Sequence, residues 1–104
     1  MVKIKPLKKT EEFKRIKQEG KRFSEGGLDV FITPEETSVS RVGVQVSSKI
    51  ANSVTRNRIK RRVKEAVRFL EEKHTVYMVV VVRKEGLESD LPKIIKTLKK
   101  HPSL

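Results

Sequence analysis

The chain contains no cysteine and no tryptophan, and only one tyrosine and two histidines among 104 residues. The missing thiols exclude disulfides, thiolate nucleophiles and cysteine-ligated metals. No apolar run approaches the roughly 18 residues of a membrane span. The N-terminus, MVKIKPLKKTEEF, has neither the apolar core nor the small-residue cleavage site of a secretory signal. A cytoplasmic location is therefore expected, with no membrane association. Acidic residues are scarce as well: 13 Asp and Glu stand against 25 Lys and Arg, a formal net charge of +12. That balance says little about fold but favours a polyanionic partner. No Ser/His/Asp, Cys/His or paired-carboxylate constellation is present, and His74 and His101 stand isolated in loop or terminal positions. No catalytic residue and no protein metal site is expected.

The charge is concentrated. Residues Thr37 to Lys64 hold eight Lys or Arg and no Asp or Glu, and six of the nine positions from Arg56 to Lys64 are basic. Placed at about 100° intervals around a helix, Ile59, Val63, Ala66, Val67 and Leu70 fall within one arc that can bury against a core. Asn57, Arg61, Lys64 and Arg68 fall on the opposite side, with Lys60 on their border. Arg56 and Arg62 project toward the flanks of the apolar arc, where carboxylates could pair with them. A solvated helix usually mixes both signs and gains roughly 0.2–0.5 kcal/mol from each i,i+4 pair. This one forgoes such pairs, so its repulsion calls for relief from outside the chain.

A single domain spanning 1–104 is expected, because no repeat, low-complexity linker or composition break divides the chain. Thr10 is placed to cap a short helix with Glu11 and Glu12 in its first turn, and Gly20 suits its exit. Lys21 to Ser24 reads as an edge strand before a Gly26-Gly27 turn. From Leu28 to Thr33 the residues alternate, with Leu28, Val30 and Ile32 on one face and Asp29, Phe31 and Thr33 on the other. Pro34 to Ser38 reads as a turn, and Val42, Val44 and Val46 alternate with Gly43, Gln45 and Ser47. The basic helix begins with Asn52 or Ser53 as N-cap and extends to about Lys73. Val76 to Val82 has the near-continuous apolar character of a central strand. A last helix from Asp90 to about Lys100 carries Leu91, Ile94, Ile95 and Leu98 on one stripe. The predicted order is α-β-β-β-α-β-α, an α+β fold with three helices on a small, mostly antiparallel mixed sheet of about four strands.

The run SSKIANSVTRNRIKRRVKEAVR, preceded by RVGVQV and followed by an apolar strand ending in Arg83, closely resembles the signature of the bacterial ribonuclease P protein subunit. Its Arg56-Asn57-Arg58 core lies inside that signature, and LKKTEEFKRIKQEGKRF resembles the family's N-terminal helix and turn. The likeness covers about Leu7 to Lys100. It implies the ribosomal protein S5 domain 2-like fold, with its left-handed β-α-β crossover. It also implies the protein subunit of a ribonucleoprotein that removes the 5′ leader from precursor tRNA. In that family the RNA subunit carries out Mg²⁺-dependent hydrolysis, while the protein binds ribonuclease P RNA and the leader, and no further protein partner is required.

Carried over residue by residue, the resemblance assigns RNA binding to Lys49, Asn52, Arg56, Asn57, Arg58, Lys60, Arg61, Arg62, Lys64 and Arg68. Arg and Lys suit phosphate, Arg through bidentate hydrogen bonds and Lys as a mobile point charge. The family's leader cleft lies between the N-terminal helix, the sheet face and the signature helix, and the matching residues here are Phe13, Lys17, Phe31 and Ser47. Aromatic rings at Phe13 and Phe31 can stack on unpaired bases. Phe13 suits core and cleft equally. Phe31 is set on the less apolar strand face by alternation alone, so two arguments meet on it. Lys17 stands where a second aromatic is frequent, Ser48 where a basic residue is common, and Ala51 where glycine is frequent. Phe23, Phe69 and Tyr77 read as packing residues. Other classes compatible with the residues are a structural RNA-binding protein of ribosomal type, a DNA-binding regulator and a protein-only nuclease. The DNA-binding reading lacks a visible helix-turn-helix partner or dimer seam, and the nuclease reading lacks clustered carboxylates.

Overall fold

The computed structural model describes residues 3–34, 39–69 and 75–102. Among the described residues, five strands and three α-helices follow one another as β1 (Lys3–Pro6), α1 (Thr10–Glu19), β2 (Lys21–Glu25), β3 (Leu28–Pro34), β4 (Val39–Val46), α2 (Ser53–Ala66), β5 (Val76–Val82) and α3 (Leu91–Lys99). The strands form one sheet in the order β1-β4-β5-β3-β2. β1 and β5 each run parallel to β4, whereas β3 is antiparallel to both β5 and β2. The fold is α+β, as expected, but the sheet has five strands and an equal division of parallel and antiparallel pairings. The strand absent from the sequence reading is β1. Its sequence, KIKP, is short, lysine-rich and ends in proline, so its extended form comes from pairing with β4 rather than from local preference.

β5 is the central strand, as its apolar run indicates, and its alternate residues face two different cores. Val76, Met78, Val80 and Val82 join Leu28, Val30 and Ile32 beneath α2 and α3. Val79, on the other face, packs with Leu7 and Ile16 under α1. Helices α2 and α3 therefore cover one face of the sheet and α1 covers part of the other. Ile59, Val63 and Ala66 of α2, and Val67 just after it, are almost fully buried. Burying a Val or Ile side chain contributes roughly 1.5–3 kcal/mol, several times what each forgone surface ion pair would add. Packing is what holds the basic helix in place.

Local signals account for the element ends, with some differences from expectation. Asn52 is the N-cap of α2, its side chain accepting from the Thr55 N–H at 2.9 Å. Asp90 caps α3 in the same way, accepting from Lys93 N–H at 3.0 Å. Lys9, not Thr10, occupies the N-cap position of α1, without a side-chain bond, so Thr10 is the first helical residue. Regular α-helix gives way after Ala66 to a 3₁₀ turn over Val67–Phe69; the rest of the expected helix, from Leu70 to Lys73, and His74 lie outside the described residues. Pro34 closes β3, while the rest of the expected turn, residues 35–38, also lies outside them. Gly26 and Gly27 turn the chain at φ +59° and +83°. A Cβ on Gly27 would overlap the backbone of Gly86.

Candidate nucleic-acid interface

α2 presents its charge away from the sheet because its apolar arc is spent on the core. Asn57, Arg61, Lys64 and Arg68 are exposed and Lys60 is half-buried beside them. Val54, Asn57, Lys60, Arg61 and Lys64 line a shallow groove of about 500 Å³ on this outer face. Val54 is 72% exposed, a large apolar side chain set among cations. Among the described residues Lys60, Arg61 and Lys64 have no ion-pair partner, whereas Arg68 lies 3.4 Å from Glu65. Exposed pairs of that kind contribute about 0–1 kcal/mol, so the face stays strongly positive.

The other basic residues of the motif are engaged differently. Arg62 donates to the Ser89 carbonyl at 3.1 Å, tying α2 to the segment before α3. Arg58 approaches Glu88 at 3.9 Å. Arg56, half-buried, has no carboxylate partner among the described residues, and its Nε is buried without a hydrogen bond. Neither Arg56 nor Arg62, the two arginines placed where carboxylates could pair with them, meets one among the described residues; Arg58 does, through Glu88. Asn52 is occupied as the N-cap. Lys49 is exposed in the preceding turn, where its N–H donates to Ser47 Oγ at 3.1 Å.

A second surface lies on the opposite face of the sheet. Ile16 anchors α1 there, and the Phe13 ring packs directly over Gly43. Arg15 stands 5.6 Å from the Tyr77 ring centroid. Lys17 donates to Gln45 Oε1 at 2.9 Å, joining the helix to β4. Phe31 is half-buried opposite Val79 of β5 on this face, and Ser47 is exposed just past the end of β4. Phe13, Lys17, Phe31 and Ser47 thus share one face, with Phe13 serving as packing and surface at once. α1 and α2, however, lie on opposite sides of the sheet. The cleft face has α1 as its wall, and α2 reaches it only around the C-terminal ends of β4 and β5. There a hollow of about 730 Å³ is bordered by Gln45, Ser47, Ile50, Lys60 and Arg83. Parallel strands β4 and β5 end at this hollow, the position where open α/β sheets commonly bind ligands.

Sequence reasoning did not single out Gln45, Arg22 or Arg83. Alternation with Val44 and Val46 would have placed Gln45 on the Phe31 face. The two arginines meet only in space: Asp29, 8% exposed, lies 3.6 Å from Arg22 and 3.5 Å from Arg83. His101 also differs from expectation. Far from isolated, it is 1% exposed, with Nε2 2.8 Å from the Lys21 carbonyl and its ring edge-on to Phe23 at 6.2 Å. A carbonyl only accepts, so Nε2 carries the hydrogen. Burial pushes the imidazole below its usual pKa of 6.5. Among the described residues no three His, Asp or Glu side chains stand close enough together to hold a metal ion.

The profile of the Ribonuclease P family matches residues 1–102. The chain belongs to the ribonuclease P protein family. It is 35% identical to the ribonuclease P protein component of Clostridioides difficile, over 96% of this chain and 93% of that one. To the corresponding protein of Caldanaerobacter subterraneus it is 38% identical, over 96% and 91%. Among solved structures, the Staphylococcus aureus RNase P protein superposes with a TM-score of 0.79 at 25% identity, covering 94% of this chain and 92% of that one. The Thermotoga maritima RNase P protein in complex with 1-(4-fluorophenyl)-2-thiourea gives 0.72 at 26% identity, covering 85% and 88%. Family membership makes this chain a protein subunit of ribonuclease P, an endoribonuclease complex, with ribonuclease P RNA as its partner. The S5 domain 2-like fold accompanies that membership. No helix among the described residues is long and apolar enough to cross a membrane.

Proposed function

We propose that this subunit divides its two RNA contacts between opposite faces of the sheet during removal of the 5′ leader from precursor tRNA. The outer face of α2, with Asn57, Lys60, Arg61 and Lys64, holds ribonuclease P RNA. The α1 side, with Phe13, Lys17, Phe31 and Ser47, takes the unpaired leader. What carries this reading is the segregation itself: unpaired cations on one side, and on the other a half-buried ring within an apolar floor rimmed by Lys17 and Arg83. Phosphates satisfy the first surface through charge, and bases satisfy the second through stacking without strong sequence preference. The hollow at the ends of β4 and β5 joins the two, so a leader leaving α1 arrives beside Lys60.

Hydrolysis belongs to the RNA subunit in this reading. Mg²⁺ acts with that RNA as Lewis acid and source of the attacking hydroxide. The protein's own cleft does not fit the ion, because Asp29, its nearly buried carboxylate, already lies between two guanidinium groups. What the chain supplies is position, a role that requires no further protein partner and is set in the cytoplasm.

The test mixes purified protein with a bacterial ribonuclease P RNA and 5′-labelled precursor tRNA at low Mg²⁺, alongside each component alone. Efficient cleavage at the mature 5′ end only in the mixture is the expected result. Binding without stimulated cleavage would favour a structural RNA-binding role, and cleavage by the protein alone would move the chemistry onto this chain.

A further inference from the structure

The strand that local sequence does not announce also creates a surface. β1 lies at the edge of the sheet, and between it and the C-terminal end of α2 there is a hollow of about 230 Å³. Its walls are the apolar side chains of Ile4, Pro6, Val42 and Val67, and its border on the α2 side is Lys64 and Arg68. Ile4 is half-buried and Pro6 exposed, so the apolar lining opens to solvent. The volume falls below the roughly 300–1,000 Å³ of sites that enclose whole ligands. It suits one flat ring system rather than a cofactor.

We infer that this hollow receives a single unpaired base of ribonuclease P RNA, with the phosphates on either side of that base held by Lys64 and Arg68. Two observations select a nucleotide as the occupant. The hollow is continuous with the outer face of α2, because Lys64 borders both this hollow and the groove that holds Arg61. Its chemistry is also composite: an apolar slot with Lys64 and Arg68 along one rim complements a base whose 5′ and 3′ phosphates lie along that rim, and matches neither a plain anion nor a plain apolar ligand. The edge of β1, paired with no further strand among the described residues, adds a third element, since backbone groups along a sheet edge can hydrogen-bond the edge of a base. RNA recognition commonly works on splayed-out bases of loops and bulges in this manner. The base fixes register along the RNA while α2 supplies charge, which a row of exchangeable phosphate contacts cannot do by itself. This inference rests on the reading of α2 as the face that holds the RNA subunit.

The test begins with the unaltered protein. It is bound to a bacterial ribonuclease P RNA, irradiated with ultraviolet light and digested, and the nucleotide adducts are located by mass spectrometry. Adducts on residues 3–6 or on Val67 and Arg68 are expected. Adducts confined to the rest of α2 and to the α1 face would overturn the inference. A second measurement uses Ile4→Trp, which fills the slot with the chain's sole indole. RNA affinity should fall by about tenfold, the scale expected when a single anchoring group is kept out of its pocket, with an unchanged melting temperature; unchanged affinity would also overturn it. Should this variant melt early, the adduct map decides alone. Arg61→Ala separates the two readings. If it leaves RNA affinity intact, the assignment of α2 fails; if it weakens binding while the hollow gives no adduct, only the slot is lost. Concentration-dependent dimerisation of the free protein that Ile4→Trp abolishes would give the hollow to a second copy and overturn the inference.

Discussion

Phe13 of α1 lies on Gly43 of β4, and a Cβ at Gly43 would overlap the ring. The absent side chain lets the helix settle close enough for Ile16 to become fully buried, and it also leaves Lys17 within 2.9 Å of Gln45. One glycine therefore sets the height of the cleft wall over the floor that holds Phe31.

Gly43→Ala should destabilise the protein by about 1–3 kcal/mol through overpacking, more than the roughly 0.4–1 kcal/mol that alanine would return by restricting the unfolded chain. Thermal unfolding checks this. Combining it with Phe13→Ala should recover part of the loss, since the two residues compete for one space. Additive losses would mean that α1 sits elsewhere.

Arg61→Ala and Lys64→Ala should leave thermal stability within about 0.5 kcal/mol of wild type, as exposed substitutions usually do, while weakening binding to ribonuclease P RNA. The slope of log affinity against log salt should become shallower by roughly 0.7–0.9 for each phosphate that is no longer neutralised. Arg62→Ala should behave in the opposite sense. Its bond to the Ser89 carbonyl is charge-assisted and partly sheltered, so its loss should cost about 1 kcal/mol of stability with a smaller effect on the salt slope. Equal melting temperatures for all three variants would contradict this division.

Phe31→Ala should reduce affinity for precursor tRNA by about 1–3 kcal/mol if a leader base stacks on the ring, and should leave mature tRNA nearly unaffected. Filter binding with matched substrates distinguishes the cases. A uniform loss on both ligands would place Phe31 outside the leader path.

His101 gives the fold a pH dependence of definite sign. Its folded pKa is held below 6.5, chiefly by burial. Above 6.5 both folded and unfolded chains carry a neutral ring, and the contribution is intact. As pH falls through 6.5 toward the lower folded value, the unfolded chain takes up the proton first and stability is lost. Urea midpoints measured between about pH 7 and pH 5 should therefore fall more steeply for wild type than for His101→Gln. Parallel curves would show that the ring is freely solvated in the folded protein.

Periodicity in the sequence was sufficient to order most of the fold. Alternation from Leu28 to Thr33 separated Phe31 from Val30 and Ile32, and the 3.6-residue repeat separated Arg61 and Lys64 from Ile59 and Val63. Those divisions survive because burial of one face is a property of a single element, readable before its neighbours are known. The cap of α2 was legible for the same reason, Asn52 or Ser53 being the choice and Asn52 the residue that caps, whereas Thr10 is not the cap of α1.

What the sequence by itself determined is thus the family, the order of the main elements and which face of each would be buried. Only the tertiary structure decided the rest. It made a strand of KIKP, whose extended form depends on β4. It set α1 and α2 on opposite sides of the sheet, buried His101 under Phe23 and Lys21, brought Arg22 and Arg83 onto Asp29, and gave Arg62 to Ser89. Each of these joins residues far apart in the chain, where no local spacing records the partner and the choice is made by packing the whole.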